Sequence, residues 1–397
     1  MSTPKLRAWW FHRQGLDGSL RSATPAQVLE RAGWARSVGG VGPYLTLFAR
    51  ARTTRQAADE AAAMLRIHEL PSARGCTYVL PARDFALGLK VGEDAAAAPM
   101  KVATKLGVTE KEIAKLEQAV LEALRGGDAM EPEAIRDATG KASRSLGEEG
   151  KKKGVTTTLP LALGRLQAKG EIRRVPVNGR LDQQRYRYAR WTPSPLAAYD
   201  KSLGEAHTEL ARLYFGWVGP ATLAEFQWFS SLGVKAAKDV VAPLRLEELP
   251  DADDRLMLPE DVDAWNRFDV PGDPCYALVS SLDSIAAARR NVASLVDAKD
   301  HARPVLADTT EKPVGGLSDL PSHAIFDRGR LIGLWEYDAD SSRIAWGTFG
   351  VKKTKQLAAA VEETEAFVRD QLGDARSFSL DSPKSRVKRI EGLRRLT

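Results

Sequence analysis

The stretch from residue 109 to residue 190 constrains the fold of this chain most, because its apolar residues change period along its length. Thr109-Glu110-Lys111-Glu112 is a capping box, and apolar residues then recur every three or four positions up to Gly126-Gly127. A second helix is predicted after Glu131-Pro132 and a third from Thr156-Thr157-Thr158. Residues 147–154, between them, are too polar to pack and are predicted to form a loop.

Two β-like runs, 171–177 and 184–189, follow the third helix, and Asn178-Gly179 between them is a hairpin turn signal. Three helices followed by a hairpin is the element order of a winged helix, a helix-turn-helix variant whose third helix enters the major groove of DNA. A weaker copy of the same order is predicted over residues 203–258. The fold class that follows is α+β, with tandem winged-helix domains.

The remaining parts of the chain complete the predicted domain organisation. Helices are expected over residues 25–32 and 54–65, and β-like runs at 324–326, 330–337 and 343–348 predict a C-terminal antiparallel sheet followed by a helix over 355–371. We therefore predict four domains: an N-terminal helical, winged-helix-like domain (1–105), a central winged helix (106–192), a third winged-helix-like domain (200–260) and a β-rich C-terminal domain with a closing helix (265–397).

Basic residues are concentrated in the central stretch. Residues 141–190 contain 13 Lys or Arg and four acidic residues, a local net charge of +9, whereas the whole chain carries +6. One basic segment in an otherwise slightly acidic chain is typical of a surface that neutralises DNA phosphates. The predicted contacts to double-stranded DNA are Lys151, Lys152, Lys153, Thr156, Thr157, Thr158, Arg165 and Lys169 around the third helix, and Arg173, Arg174, Arg180, Arg185 and Arg187 in the hairpin.

Several functional classes are excluded by what the sequence lacks. No apolar run is long enough to span a bilayer, and the N-terminus has no uninterrupted signal core, so a cytoplasmic location is expected, nucleoid-associated in a bacterium. Only Cys76 and Cys275 are present, which argues against a disulfide framework. The five histidines have no metal-ligand spacing, and we expect neither a metal nor a cofactor.

Four short segments, spread over nearly the whole chain, form a recognisable set. They are Pro43-Tyr44-Leu45-Thr46-Leu47-Phe48-Ala49-Arg50, Arg74-Gly75-Cys76-Thr77-Tyr78-Val79-Leu80-Pro81, Leu278-Val279-Ser280-Ser281-Leu282-Asp283 with Arg289-Arg290, and Gly329-Arg330-Leu331-Ile332-Gly333. Together they resemble the winged-helix DNA glycosylases of the YcaQ and AlkZ type. The resemblance implies removal of alkylated purines, including bases joined in interstrand crosslinks.

The resemblance also implies a Gln-apolar-Gln or Gln-apolar-Asp motif shortly before the proline-tyrosine run. In this chain Arg36-Ser37-Val38 occupies that place, followed by Gly39-Gly40-Val41-Gly42. Base removal produces an oxocarbenium-like sugar, which needs a carboxylate or a positioned water beside it. Arg36 would repel such a centre and Val38 cannot position water. The glycine run lacks the Lys-Ser or Lys-Thr of a nucleotide-binding loop, and we interpret it as allowing a close backbone approach.

Three functional hypotheses remain from the sequence. The first is a DNA-binding protein without glycosylase chemistry, such as a damage sensor, a nucleoid-associated factor or a regulator. The second is a divergent glycosylase whose carboxylate lies elsewhere, with Glu69 and Asp84 as candidates because they flank the matched strand. The third, a transcription factor with a ligand domain, would require a pocket in the C-terminal half and dimer symmetry.

Overall fold

A computed structural model describes residues 3–182, 185–249, 254–307, 310–378 and 380–396, and it combines helices with antiparallel sheets. The predicted α+β class is therefore confirmed. Within the described residues, no helix has both the length and the apolar character needed to cross a lipid bilayer. The division into four domains stays a prediction.

The N-terminal segment contains helices and one three-stranded antiparallel sheet, of order β1-β3-β2. Its elements are α1 (Thr3–Arg13), α2 (Pro25–Ala32), β1 (Ala35–Arg36), α3 (Gly42–Ala51), α4 (Arg55–Ala63), β2 (Ile67–Pro71), β3 (Thr77–Pro81), α5 (Phe85–Val91) and α6 (Ala97–Thr104). The predicted helices over 25–32 and 54–65 are present, because Thr24 and Thr54 each cap the first turn with a side-chain oxygen. The resembled proline-tyrosine run forms α3.

The central segment has the predicted order of helices and hairpin, with one addition. Its elements are α7 (Glu110–Ala123), α8 (Pro132–Thr139), α9 (Gly147–Lys152), α10 (Leu159–Ala168), β4 (Ile172–Pro176) and β5 (Tyr186–Arg190). The loop predicted over 147–154 is wrong, since α9 lies there. Glu148 and Glu149 occupy its first turn and Lys151 and Lys152 its last, so the side-chain charges complement the helix dipole and pair across one turn.

A second run of three helices and a hairpin follows, as the pattern over 203–258 predicted. It consists of α11 (Leu203–Val218), α12 (Leu223–Ser230), α13 (Val234–Val241), β6 (Glu247–Glu248) and β7 (Leu256–Met257), and α14 (Pro259–Arg267) comes next. Ser202 and Thr222 both form capping boxes at the starts of α11 and α12. These two helices therefore begin where their side chains can satisfy the free backbone N–H groups.

The C-terminal segment is built on a four-stranded antiparallel sheet of order β13-β12-β11-β8. Its elements are β8 (Tyr276–Val279), α15 (Ser284–Ala287), β9 (Pro304–Ala307), β10 (Thr310–Pro313), β11 (His323–Asp327), β12 (Arg330–Asp338), β13 (Arg343–Thr348), α16 (Lys355–Phe367) and α17 (Pro383–Arg395). A π-helical turn, Val368–Leu372, extends α16. The predicted sheet and closing helix are thus confirmed.

Buried apolar residues form clusters that join distant parts of the sequence. One cluster is made of residues of the central segment and α6, from Met100 to Tyr188. Another packs the N-terminal helices against β8, β11, β12, β13 and α16. A fully buried ion pair crosses the same region, where Arg50 of α3 contacts Asp283 at 2.8 Å. Two of the four segments that carry the resemblance therefore meet in the interior.

The connection between β4 and β5 is anchored to the body of the protein. Leu181 is buried in the cluster that contains α3 and α16, and its backbone N–H donates to the Tyr44 hydroxyl at 2.8 Å. Arg180 donates to the Leu372 carbonyl at 3.2 Å, and Arg376 donates to the Asp182 carbonyl at 3.0 Å. The hairpin is thus attached at its tip as well as at its base.

Candidate nucleic-acid interface

Arg36, Ser37 and Val38 lie on the wall of an open cleft of about 590 Å³ between the three-stranded sheet and the hairpin. β1 pairs with β3 here, and the Ser37 N–H donates to the Thr77 carbonyl at 3.0 Å. The other lining residues are Gly39, Glu69, Gly75, Cys76 and Thr77 beside the sheet, Arg174, Tyr186 and Tyr188 from the hairpin, and Phe378 and Leu380 from the segment before α17. The motif position is therefore open to a ligand.

The glycine run brings the C-terminal segment to this cleft. A Cβ atom on Gly40 would lie 2.4 Å from the Ser377 carbonyl oxygen, a distance that only glycine permits. The Val41 N–H donates to the Arg376 carbonyl at 3.0 Å. The predicted close backbone approach is confirmed, and it places the exposed Phe378 and Leu380 at the rim of the cleft.

Glu69 is the carboxylate of the cleft. It lies on β2, is 7% exposed, and accepts a hydrogen bond from the Ser37 hydroxyl at 2.6 Å. The Tyr186 hydroxyl also donates to Glu69, and burial together with this carboxylate raises the pKa of Tyr186. The structure thus brings together Glu69 and the motif position, which the sequence named separately. A carboxylate held by two hydroxyl donors stays oriented toward the cleft.

Asp84, the other candidate carboxylate, lies away from the cleft. It accepts a hydrogen bond from the Trp34 indole at 2.8 Å and is buried at the start of α5. Burial raises the pKa of Asp84. Its position favours a structural role in holding Trp34.

The hairpin turns one face of alternating residues toward the cleft. Arg174 pairs with Tyr188 across the strands, and its guanidinium lies 4.8 Å from the centre of the Tyr186 ring. Burial opposes the charge of Arg174, but Tyr188 and Glu69 outweigh it and raise its pKa. Tyr186 and Tyr188 were not identified from the sequence as residues of the site. The alternation Arg185-Tyr186-Arg187-Tyr188 was the available signal, because every second residue of a strand shares a face.

The cations around the third helix are largely paired with acidic residues. Lys151 contacts Glu148 at 2.7 Å and Lys152 contacts Glu149 at 3.5 Å, whereas Lys153 is exposed. Arg165 and Lys169 both lie 2.7 Å from Glu117, and Arg165 also pairs with Glu110.

The three threonines differ in their accessibility to a phosphate. Thr156 is exposed and Thr157 is half-buried. Thr158 is fully buried, and its hydroxyl accepts from the Arg144 N–H at 3.1 Å. Thr158 is therefore occupied within the protein, whereas Thr156 faces solvent.

The hairpin cations fall into two groups. Arg180 is committed to Asp182, 2.9 Å away, and to the docked tip of the hairpin. Arg173, Arg185 and Arg187 form no ion pair with any carboxylate in the described parts of the chain, and Arg185 is exposed. These three arginines alternate with the residues that line the cleft, so the hairpin offers uncompensated positive charge on its face away from the cleft, which the helix surface does not.

The described residues offer no ready set of metal ligands. No three His, Cys, Asp or Glu side chains among them are grouped to hold an ion. Cys76 and Cys275 are both free thiols. The polar side chains that line the cleft carry guanidinium, hydroxyl, carboxylate and thiol groups.

Comparison with known proteins gives a consistent result. A family model described as DNA glycosylase AlkZ-like matches residues 41–378, a region that begins just after Val38. The solved structure of the Streptomyces sahachiroi DNA glycosylase AlkZ is similar, with a TM-score of 0.69 over 95% of this chain and 98% of that chain at 18% sequence identity. A search of curated proteins finds no match. Because the family model covers most of its length, the chain belongs to the AlkZ-like DNA glycosylase family.

Proposed function

We propose that this protein binds duplex DNA across the cleft and the β4–β5 hairpin, and that the central segment (106–192) acts as a winged helix. The observation that carries the proposal is that three arginines of the hairpin, Arg173, Arg185 and Arg187, have no carboxylate partner among the described residues, and that the opposite face of the same hairpin forms one wall of an open cleft. Uncompensated cations release counterions from DNA when they meet phosphates, and this release supplies most of the affinity of sequence-independent binding. A cytoplasmic, nucleoid-associated location and the segment 200–260 as a third winged-helix-like domain are part of this proposal.

The proposal assigns the hairpin a larger share of the binding energy than the third helix. Arg165, Lys169, Lys151 and Lys152 already have acidic partners, so a phosphate would have to displace those carboxylates. Arg185 and Arg187 have no such competitor. We therefore place the principal phosphate contacts on the hairpin and a smaller share on Lys153 and Thr156.

Salt dependence of binding tests this proposal. The affinity for a labelled duplex is measured by fluorescence anisotropy at several salt concentrations. With a slope of about 0.9 per phosphate neutralised, the four cations assigned here would give a log–log slope of about −3.6. A slope close to zero would remove the electrostatic argument, and strong discrimination between unrelated sequences would contradict binding through the phosphate backbone.

A second candidate function is base excision, favoured by one specific observation. Glu69 lies 2.6 Å from Ser37 in the same cleft, so a carboxylate is present where the glutamine motif is missing. In glycosidic cleavage the base leaves with the bonding electrons, and a carboxylate stabilises the cationic sugar until water adds at its anomeric carbon. Arg36 and Arg174 oppose this chemistry, because both place positive charge in the cleft.

The two candidates differ in a direct assay. Duplex DNA carrying alkylated purines is incubated with the protein and then examined for abasic sites. Binding without abasic sites supports the first candidate. If the unmodified protein produces abasic sites and the Glu69→Gln variant binds DNA but produces none, base excision is supported instead.

A further inference from the structure

A second pocket, of about 300 Å³, is also lined by residues of β1 and β3. Trp34, Arg36, Arg74, Tyr78, Trp228 and Arg290 line its polar and aromatic part. Phe229, Leu282 and Ala287 form an apolar wall. Arg36 and Cys76 line both the pocket and the cleft, so the two are neighbours. Its volume is at the lower end of the ~300–1,000 Å³ range of small-ligand sites.

Three guanidinium groups converge in this pocket. The Cζ atom of Arg74 lies 4.0 Å from the centre of the Trp228 ring, and that of Arg290 lies 5.0 Å from the same ring. Arg36 lies 5.3 Å from the centre of the Tyr78 ring. Asp319 is the acidic residue in the lining and contacts Arg290 at 2.7 Å. The lining therefore carries an excess of two positive charges.

The backbone holds two of these arginines in a conformation that is unfavourable for them. Arg74 has φ 60° and Arg290 has φ 52°, both in the left-handed region that non-glycine residues rarely adopt. Such backbone strain persists where surrounding structure enforces it, and it concentrates at ligand sites. In addition, one terminal nitrogen of Arg36 is buried without a hydrogen-bond partner among the described residues. At least one guanidinium donor of the pocket lining therefore lacks an acceptor among the described residues.

We propose that this pocket binds a phosphorylated nucleotide, with its phosphate chiefly on the Arg36 and Arg74 guanidiniums and its sugar and base against the apolar wall. Arg290 makes a smaller contribution, because it already pairs with Asp319. A guanidinium that lies on an aromatic ring still directs its N–H edge outward, and that edge matches two phosphate oxygens. Burial and repulsion from Arg74 lower the pKa of Arg36, and an anion between them would relieve that repulsion. The phosphate comes either from the end of a DNA strand in the adjacent cleft or from a free nucleotide.

Calorimetric titration with deoxyadenosine monophosphate, and with deoxyadenosine as the phosphate-free probe, tests the pocket without any duplex. The monophosphate is expected to bind at least tenfold more tightly than the nucleoside. Arg74→Ala should weaken it by about tenfold, Arg290→Ala should weaken it less because Asp319 already pairs with Arg290, and Arg74→Lys should lose less than Arg74→Ala. Arg245→Ala is the matched control, because Arg245 is exposed and also has a left-handed backbone, with φ 50°. Equal affinity for nucleoside and monophosphate, or unchanged binding in folded Arg74 and Arg290 variants, would overturn the proposal.

Competition then identifies the source of the phosphate. Short duplexes ending in a 5′-phosphate, a 3′-phosphate or a hydroxyl are used to displace the monophosphate. Preferential displacement by a phosphorylated end assigns the pocket to strand ends, and failure of all three duplexes to displace the monophosphate assigns it to free nucleotides. Equal displacement by all three would contradict recognition of a terminal phosphate. Because the calorimetric titration contains no duplex, its outcome does not depend on whether the protein binds DNA through the hairpin.

Discussion

At the scale of single residues, the groups around one carboxylate decide what the cleft can do chemically. Glu69 receives hydrogen bonds from Ser37 and Tyr186, and Arg174 lies on the Tyr186 ring. These contacts satisfy Glu69 within the protein. A satisfied and charge-balanced carboxylate has less capacity to stabilise a cationic sugar than an unpaired one.

Rebuilding the resembled motif is the most direct test of this arrangement. Arg36→Gln combined with Val38→Gln or Val38→Asp removes one positive charge from the cleft and adds groups that position water. If the rest of the site is preorganised, base release from alkylated duplex should rise at least tenfold above that of the unmodified protein. The Arg36→Gln single variant is the control for the lost charge. Inactivity of all variants with DNA binding intact would show that the cleft recognises DNA without cutting it.

At the scale of secondary-structure elements, the sequence predicts what is locally encoded. Helices α2, α4, α7, α11 and α12 begin at residues whose side chains cap them, so their starts can be read from the chain. The short helix α9 was missed because its stability comes from charge placement rather than from an apolar face. The docking of Leu181 onto Tyr44 depends on residues 137 positions apart, and no local pattern reports it.

The hairpin is expected to bind DNA more strongly than the helices near residue 235. Arg185→Glu with Arg187→Glu should weaken duplex binding by at least tenfold and reduce the magnitude of the salt slope by about 2, one unit for each lost phosphate contact. Lys235→Glu with Lys238→Glu makes the same change in net charge on α13 and should have a smaller effect. Equal losses in the two double variants would mean that both segments share the duplex.

The attachment of the β4–β5 hairpin at its tip can be weakened by a substitution that changes no charged residue. Leu181→Ala shortens a side chain that is only 4% exposed. Because the neighbouring residues can fill the resulting cavity only in part, we expect the free energy of unfolding to fall by about 2–5 kcal/mol. Val177→Ala, on the same loop but exposed, serves as control and should cost under about 1 kcal/mol. Urea unfolding measures both. Similar values for the two variants would show that the tip is not anchored.

At the scale of the whole molecule, function depends on segments that the chain brings together from far apart. The cleft needs the sheet, the hairpin and the segment around Phe378, and the pocket beside it needs α12 and the turn after α15. Sequence reasoning named Glu69 and Arg36 but gave no means of placing them on one wall. The buried Arg50–Asp283 pair shows the same limit, because each partner alone looks like an ordinary charged residue.

The stability of the whole protein should depend on pH through one buried carboxylate. Burial raises the pKa of Glu336 from 4.5 to about 7. Since the unfolded chain releases this proton at lower pH than the folded one, rising pH between about 4.5 and 7 favours unfolding. Glu336→Gln should therefore stabilise the protein more at pH 8 than at pH 5, by about 2–3 kcal/mol. Arg389 contacts both Glu336 and Asp381 at 2.9 Å, so in the variant it keeps Asp381 as a partner and is not left unpaired.

Urea unfolding of the unmodified protein and of the Glu336→Gln variant at pH 5 and pH 8 measures this difference in stability. A Glu336→Gln effect that is the same at pH 5 and pH 8 would show that the carboxylate keeps its ordinary pKa in the folded state. The Asp340→Asn variant, at an exposed position after the same strand, is the control and should show little pH dependence.

The two-point attachment of the hairpin fixes the aperture of the cleft. One edge of the opening is a strand whose base belongs to the central segment and whose tip is held by Tyr44, Leu372 and Arg376. A hairpin that is held at both ends bends less than one that is held only at its base. We therefore expect the opening to keep its width when a ligand binds. If duplex DNA binds there as proposed, a helix that kinks or unstacks easily should bind more tightly than a stiff one.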